Sequence, residues 1–477
     1  MILHPKYMLS VSSVALCVAA APAFAQTAID NIFDLMTSEG GTVAFDARNE
    51  AGGTVEWTGL RMAAPDDEMV ITTDWLKIET DGNQSVLTMA PVAEIAISDR
   101  YDGPMATIQV TTEGLEYTIG QNGDEITHTY TAASVLATRL SGEILKSMNV
   151  NLSTVSGNHT EDFNDKYILN GVFSIGNMAV EYNATDDDFV MAADQVSEGF
   201  SVSYGFDAPG GDLREIESLS EIQFNMEMEA GASKGTNKMG EGREIMDISA
   251  TTGPSSMSAS MELGRASYDM SATDVAYNIQ AMGMGLPPMD IAASELTMGM
   301  SGPVAMTDGM QDMRLLVAFR ELAVSEGLWS MIDPQQTIPR DPANLIIDID
   351  GAMRWLVEPV QGPGPGEMPV ELDSLTINEL TLQVGGAEVL ASGAATFDNG
   401  GPMPFPMPIG EVDVAINGVF GLVDALGGLG LVPPEAAMMA RGMVGALANP
   451  TGPDNFESKI EFKQGGQITA NGQPLPF

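Results

Sequence analysis

Apolar and polar side chains alternate with a period of two along most of this chain, and a period of two admits strands and little else. Thr54-Val-Glu-Trp-Thr-Gly-Leu60 shows the pattern, as do residues 69–80 and 105–119. It returns at 167–182, 200–206, 222–228, 257–263, 291–300 and 313–324, and again at 346–349, 375–384, 412–420 and 460–462. Successive strand residues point to opposite faces, so each segment turns one side to an apolar layer and the other to water. Asp81-Gly82, Asn122-Gly123, Asn399-Gly400 and Asn471-Gly472 separate the segments. Such dipeptides close tight hairpins, and hairpins join antiparallel neighbours. The expected fold class is therefore mainly β: long curved antiparallel sheets, arranged as a groove or a sandwich. Helices are expected to be few. Residues 27–37 read as a short helix, and 132–146 mix both periods. The clearest helices form a C-terminal pair, Gly421-Leu-Val-Asp-Ala-Leu-Gly427 and residues 434–447, the second opened by Pro433-Pro434 as a helix N-terminus allows.

The N-terminus sets the compartment. His4 and Lys6 precede an uncharged, mostly apolar run over residues 7–20, and Ala23-Phe24-Ala25 supplies small residues at the −3 and −1 positions. Residues 1–25 read as a secretory signal peptide with cleavage before Gln26, and the periplasm is the expected localisation. The run is shorter than the roughly 20 apolar residues of a membrane span. The most apolar later stretch, 412–447, is interrupted by Asp413, Asp424, Glu435 and Arg441. No stable membrane insertion of the mature form is expected. Cys17 is the single cysteine and leaves with the signal peptide, so the mature chain can form no disulfide and no cysteine–zinc site.

Charge narrows the partners. The chain carries 66 acidic and 20 basic residues; loss of residues 1–25 leaves 452 residues and takes the net charge from −46 to −47. That field repels nucleic acid and anionic membrane surfaces, so no nucleic acid is expected as a partner. A hydrophobic content of 44% argues against disorder as the cause of the acidity. The organisation expected is a signal peptide over 1–25, an N-terminal and central β-rich region over 26–358, a Pro/Gly-rich loop or linker over 359–369, and a β-rich segment with the helix pair over 370–477. A second break lies at Asp207-Ala-Pro-Gly-Gly-Asp212.

Methionine is concentrated: residues 226–313 hold 15 of the 33. Met226 and Met228, Met282 and Met284, and Met298 and Met300 would each share a strand face, and these six mark a candidate apolar groove. Three readings stand: core filling in place of Leu and Val, a soft adaptable apolar surface, and thioether ligation of Cu(I). Catalytic constellations are missing. Gly171-Val-Phe-Ser-Ile-Gly176 fails as a nucleophile elbow, because Val172 stands where the first glycine is needed, and Ser174 reads as a strand residue. There is no phosphate loop. Asp186-Asp187-Asp188 and Asp348-Ile-Asp350-Gly351 lack calcium-loop spacing. His128, between two threonines on a strand, and His159, after Gly157-Asn158 in a turn, are expected at the surface and not as ligands. No catalytic residue, metal ligand or cofactor is therefore expected, nor an enzyme.

Two stretches carry a family resemblance. The first runs from Trp329-Ser-Met-Ile-Asp-Pro-Gln-Gln-Thr-Ile-Pro-Arg340 to Gly351. The second begins at Leu390-Ala-Ser-Gly-Ala-Ala-Thr-Phe-Asp-Asn-Gly-Gly-Pro402 and continues through Gly430-Leu-Val-Pro-Pro434 to Gly465-Gly-Gln-Ile-Thr-Ala-Asn-Gly-Gln-Pro474. This order resembles the domain of unknown function 2125 family of exported alphaproteobacterial proteins, itself distantly similar to AsmA-like and TamB-like envelope proteins. The resemblance implies a curved AsmA-like sheet whose apolar groove binds lipid or assists envelope assembly, with lipid or envelope proteins as partners. The alternative is a structural or interaction scaffold with closed β cores and no ligand.

Overall fold

Most strands of this protein pair with the strand next to them in sequence or the next but one, and every strand register described is antiparallel. The computed structural model describes residues 33–34, 36–38, 40–99, 103–162, 166–186, 188–209, 218–359, 369–400 and 406–475. The expected signal peptide, with Ala23, Ala25 and Gln26, lies outside them, as do residues 360–368. Of the expected helix 27–37, residues 33, 34, 36 and 37 are described and are helical. The chain divides into two compact units.

The first unit comprises residues 1–210 and 235–243. Its strands are β1 (Thr42–Ala44), β2 (Ala47–Ala51), β3 (Thr54–Ala63), β4 (Met69–Asp81), β5 (Gln84–Met89), β6 (Val92–Asp99), β7 (Gly103–Glu113), β8 (Glu116–Asn122), β9 (Glu125–Gly142), β10 (Leu145–Asp162), β11 (Lys166–Asp186) and β12 (Phe189–Pro209). The strand Ser233–Glu241 adds to β12. β5 and β6 lie end to end along β4, with Leu76 facing Met89 and Thr73 facing Ala93. They form one line broken at Ala90-Pro91. β7 and β8 form a second such line along β9, broken at Gly114 with φ 64°. Residues 132–146, which mixed both periods, are strand on either side of a tight turn.

A bend crosses these strands. Gly59, Gly114, Thr154 and Gly199 all take left-handed φ values, from 53° to 66°. Ser153 faces Ser134 and Asn177, while Val155 faces Ala132 and Ile175, so the interruption falls at the same level on three adjacent strands. An inserted left-handed residue reverses which face the following side chains take; when neighbours reverse together, their rows stay matched. Gly59 explains why the buried residues of β3 run Val55, Trp57 and Leu60 rather than alternating throughout. Their side chains pack with Leu76, Ile78, Leu87 and Tyr117 in one core, and Phe33, Met89 and Tyr130 flank it. Phe33 meets the Trp57 ring edge-on at 5.8 Å.

The second unit comprises residues 211–234 and 244–477. It contains β13 (Gln223–Ala230), β15 (Glu244–Thr252), β16 (Ser255–Glu262), β17 (Arg265–Met282), β18 (Met289–Pro303), β19 (Gln311–Val324), β20 (Ala343–Trp355), β21 (Val370–Val384), β22 (Ala387–Asp398), β23 (Met407–Asn417), β24 (Asn449–Gly452), β25 (Asn455–Lys463), β26 (Gln467–Ala470) and β27 (Gln473–Pro474); β14, the strand Ser233–Glu241, lies mostly in the first unit. β17 to β23 pair in sequence order. β25 then pairs β23. β15 and β16 share β17 in one register and part at Gly253-Pro254. Among the described residues three α-helices interrupt the meander: α1 (Glu326–Ile332), α2 (Val419–Gly428) and α3 (Pro434–Leu447), the last two being the expected pair. The strand expected to run to residue 420 ends at Asn417, because Gly418 turns left-handed at φ 66° and starts α2. The Asp454 carboxylate accepts from Phe420 N and Gly421 N at 3.0 and 2.9 Å, satisfying two donors that a helix start leaves open.

The first stretch of the family resemblance has a physical basis here. Asp333, fully buried, accepts from Ile338 N at 2.7 Å, Thr337 N at 3.0 Å, Thr337 Oγ1 at 2.9 Å and Arg340 Nη1 at 2.9 Å. The Arg340 guanidinium lies 4.5 Å from the Trp329 ring centroid. Burial pushes the Asp333 carboxyl up, but these hydrogen bonds outweigh it and hold the group well below the usual carboxylate range.

Two outcomes are expected. Trp57→Ala removes the largest fully buried side chain of the core and should cost about 3–5 kcal/mol in urea unfolding. Asp333→Asn should lower Tm and change Trp329 emission at pH 7. Because the folded carboxyl titrates below its unfolded value of 3.8, its stabilisation is complete above that pH and is lost as pH falls through the lower folded value. The Tm gap between wild type and variant should therefore be constant from pH 7 to about 5 and narrow only below the unfolded value, as read by calorimetry across that range.

Candidate functional site: an open apolar face and a buried histidine pair

Strand registers carry the methionines of the second unit into rows. Met228 faces Met257, Met257 faces Met270, and Met270 faces Met298. Val317, Ile347 and Leu380 extend this row over the next three strands, and Ala391 and Val414 carry it to β23. The adjacent row links Met226, Ala259, Tyr268 and Met300, then Leu315 and Ile349. Met226, Met228, Met298 and Met300 thus share one apolar face, as the spacing predicts. Met282 and Met284 do not join it. Asp274, at φ 49°, reverses the alternation of β17, so Met282 points to the other side; Met284 lies in the turn that follows.

The face is not packed away. Met270 is 38% exposed and Met300 49%. The fully buried apolar residues of this unit are mostly alanines, among them Ala281, Ala293, Ala318 and Ala387. The opposite face is polar over β16 and β17, where Ser256 meets Ser271 at 2.9 Å and Ser260 meets Ser267 at 2.7 Å, and farther along it carries the buried Ala318 and Ile346. Asp348 there pairs with Arg314 at 3.6 Å, and Asp350 accepts from Asn378 at 2.6 Å. α3 leaves Met438, Met439 and Met443 exposed.

The first unit holds a cluster of a different kind. The register of β9 and β10 sets His128 directly opposite His159, and Glu161, two residues on, shares their face. The two imidazoles stack with centroids 4.2 Å apart and planes 16° from parallel. His128 Nδ1 lies 2.7 Å from the Tyr117 hydroxyl and Nε2 lies 3.4 Å from Glu161 Oε1. His128, His159 and Glu161 are 1%, 5% and 5% exposed. This corrects the expectation that both histidines lie at the surface. Gly157-Asn158 makes no turn, because β10 runs straight through it. Gly157 instead leaves room for the Tyr130 ring, and Gly171 for Tyr204 beside His159. The aromatic rings continue from Tyr117 to Tyr130 at 6.2 Å, to Phe173 at 6.2 Å and to Phe200 at 6.4 Å. Ser174 is the strand residue expected, facing Ser156 and Ser201.

Electrostatics fix the protonation of the phenols. Burial pushes the Tyr117 hydroxyl well above its ordinary 10, and the charges of Glu161 and Tyr130 add to the rise. Burial and then Glu161 raise Tyr204 likewise. Tyr117 is therefore a neutral phenol near pH 7, fitted to orient an imidazole and unsuited to act as a nucleophile. The available sequence signal was His159-Thr160-Glu161, two polar residues where the alternation asks for apolar ones.

Fold and sites together define an antiparallel β-meander protein with a polar and an apolar sheet face. The model of a family described as an uncharacterised protein conserved in bacteria, domain of unknown function 2125, matches residues 238–473; over that stretch the chain is similar to this family. The match takes in β15 to β26, the Asp333–Arg340 loop and the helix pair; the histidine cluster lies outside it. No curated protein sequence matches the chain.

A Cβ at Gly171 would stand 2.5 Å from the Tyr204 hydroxyl and 2.8 Å from the His159 Cβ. Gly171→Val should destabilise the first unit by about 1–3 kcal/mol through overpacking and weaken its near-ultraviolet dichroism. Gly120→Ala, where a Cβ meets nothing within 4 Å, should leave both unchanged.

Proposed function

We propose that the protein is a non-enzymatic, exported periplasmic carrier that shelters lipid acyl chains on the apolar face of its second unit and serves envelope assembly. The observation that carries this reading is the row from Met257 to Val414, which crosses eight strands with side chains left half-buried. At roughly 4.8 Å per strand spacing the row is about 34 Å long, enough for an extended acyl chain. Covering it returns about 25 cal/mol for each Å² of apolar surface removed from water. Methionine suits a ligand of variable shape, because its unbranched thioether adapts to irregular partners. The exposed Met438, Met439 and Met443 of α3 extend the apolar surface available to lipid. The net charge of −46 keeps such a surface soluble and resists adsorption to anionic membranes. The signal peptide read over residues 1–25 supports the compartment.

The test is native mass spectrometry of protein expressed with its own leader and isolated from the periplasm. Phospholipid should copurify, and Met298→Glu combined with Met300→Glu should abolish it while leaving the far-ultraviolet spectrum intact. Lipid-free recovery, with no uptake of added phospholipid, would contradict the proposal.

A further inference from the structure

We infer that His128, His159 and Glu161 form a binding site for one divalent transition-metal cation of the zinc class. One ligand atom from each of the three lies within 4.8 Å of the others, and all three residues are buried. The 3.4 Å between His128 Nε2 and Glu161 Oε1 is already the separation of two ligands held about 2.1 Å from a tetrahedral ion. A ring nitrogen of His159 supplies the third ligand atom.

Three physical arguments favour a cation. First, a carboxylate buried beside two imidazoles sits in a poorly solvated place, where a bound cation offsets the cost of burying charge. Second, the Tyr117 hydroxyl at 2.7 Å from His128 Nδ1 holds that ring nitrogen from outside. With Nδ1–H donating to the phenol oxygen, the Nε2 lone pair faces Glu161. Such outer partners set the tautomer and ring direction in metal-bound histidines. Third, two imidazole nitrogens and one carboxylate oxygen suit zinc and its neighbours rather than magnesium or calcium, which take oxygen ligands. The ligands sit on paired strands, with the Tyr130 and Tyr204 rings packed over Gly157 and Gly171 beside them. The competing arrangement is His128 hydrogen-bonded to Tyr117 and Glu161 without metal.

The inference is independent of the lipid proposal, since it concerns the other unit. The test uses the full mature chain, tag-free and stripped with a chelator, titrated with zinc chloride by calorimetry and by proton NMR. The mature chain holds only two histidines, so their imidazole signals report directly and need no variant. One zinc per chain at sub-micromolar Kd, both imidazole signals shifting at one equivalent, and a raised Tm are expected. His159→Asn and Glu161→Gln should each weaken binding at least a hundredfold, and Tyr117→Phe about 10–100-fold. Asp348→Asn should change nothing. Weak multi-site binding that these substitutions leave unaltered, or imidazole signals that respond to pH and not to zinc, would overturn the inference.

Discussion

Backbone hydrogen bonding between antiparallel strands is the constraint on which everything else in this protein depends. Once a hairpin sets the register of one pair, the period of two decides which side chains of the next strand join the same row. Met228, Met257, Met270 and Met298 come from four strands and align because each register places them opposite one another. His128 and His159 meet for the same reason. A one-residue slip anywhere would move every apolar side chain beyond it to the polar face, so the apolar rows and the registers enforce one another.

The two units use this constraint differently. In the first, bends at Gly59, Gly114, Thr154 and Gly199 reverse the alternation on neighbouring strands together, and large side chains such as Trp57 and Ile78 are fully enclosed. Enclosure is what allows polar groups to matter there: inside, a histidine pair and a carboxylate must satisfy one another or bind something that does. In the second unit small residues occupy most of the enclosed positions, and most of the methionine and leucine side chains stay in partial contact with water. An apolar face of that extent is stable when something covers it.

Much of this was legible in the sequence. Asp81-Gly82, Asn122-Gly123 and Asn471-Gly472 mark hairpins that form where expected, because a left-handed residue is needed there and glycine supplies it. The C-terminal helix pair followed from its prolines and glycines, and the shared face of Met226 with Met228 and of Met298 with Met300 from simple alternation. What alternation does not encode is where it reverses. Gly59 sets Leu60 three residues from Trp57, and Asp274 sends Met282 to the other side. The histidine pair was hidden more deeply: its members stand on separate strands, and only the β9–β10 register joins them. The Gly157-Asn158 turn signal misled, because that glycine serves the Tyr130 ring rather than the backbone.

The most direct test of the account is oxidative footprinting of the purified chain, read methionine by methionine by peptide mass spectrometry. An open apolar face requires Met270 and Met300 to oxidise at nearly the rate of the same residues in unfolded peptides, and to slow when phospholipid is added. If Met270 and Met300 are as protected as the Trp57 side chain without any ligand, the face is sealed and the account of the second unit is wrong.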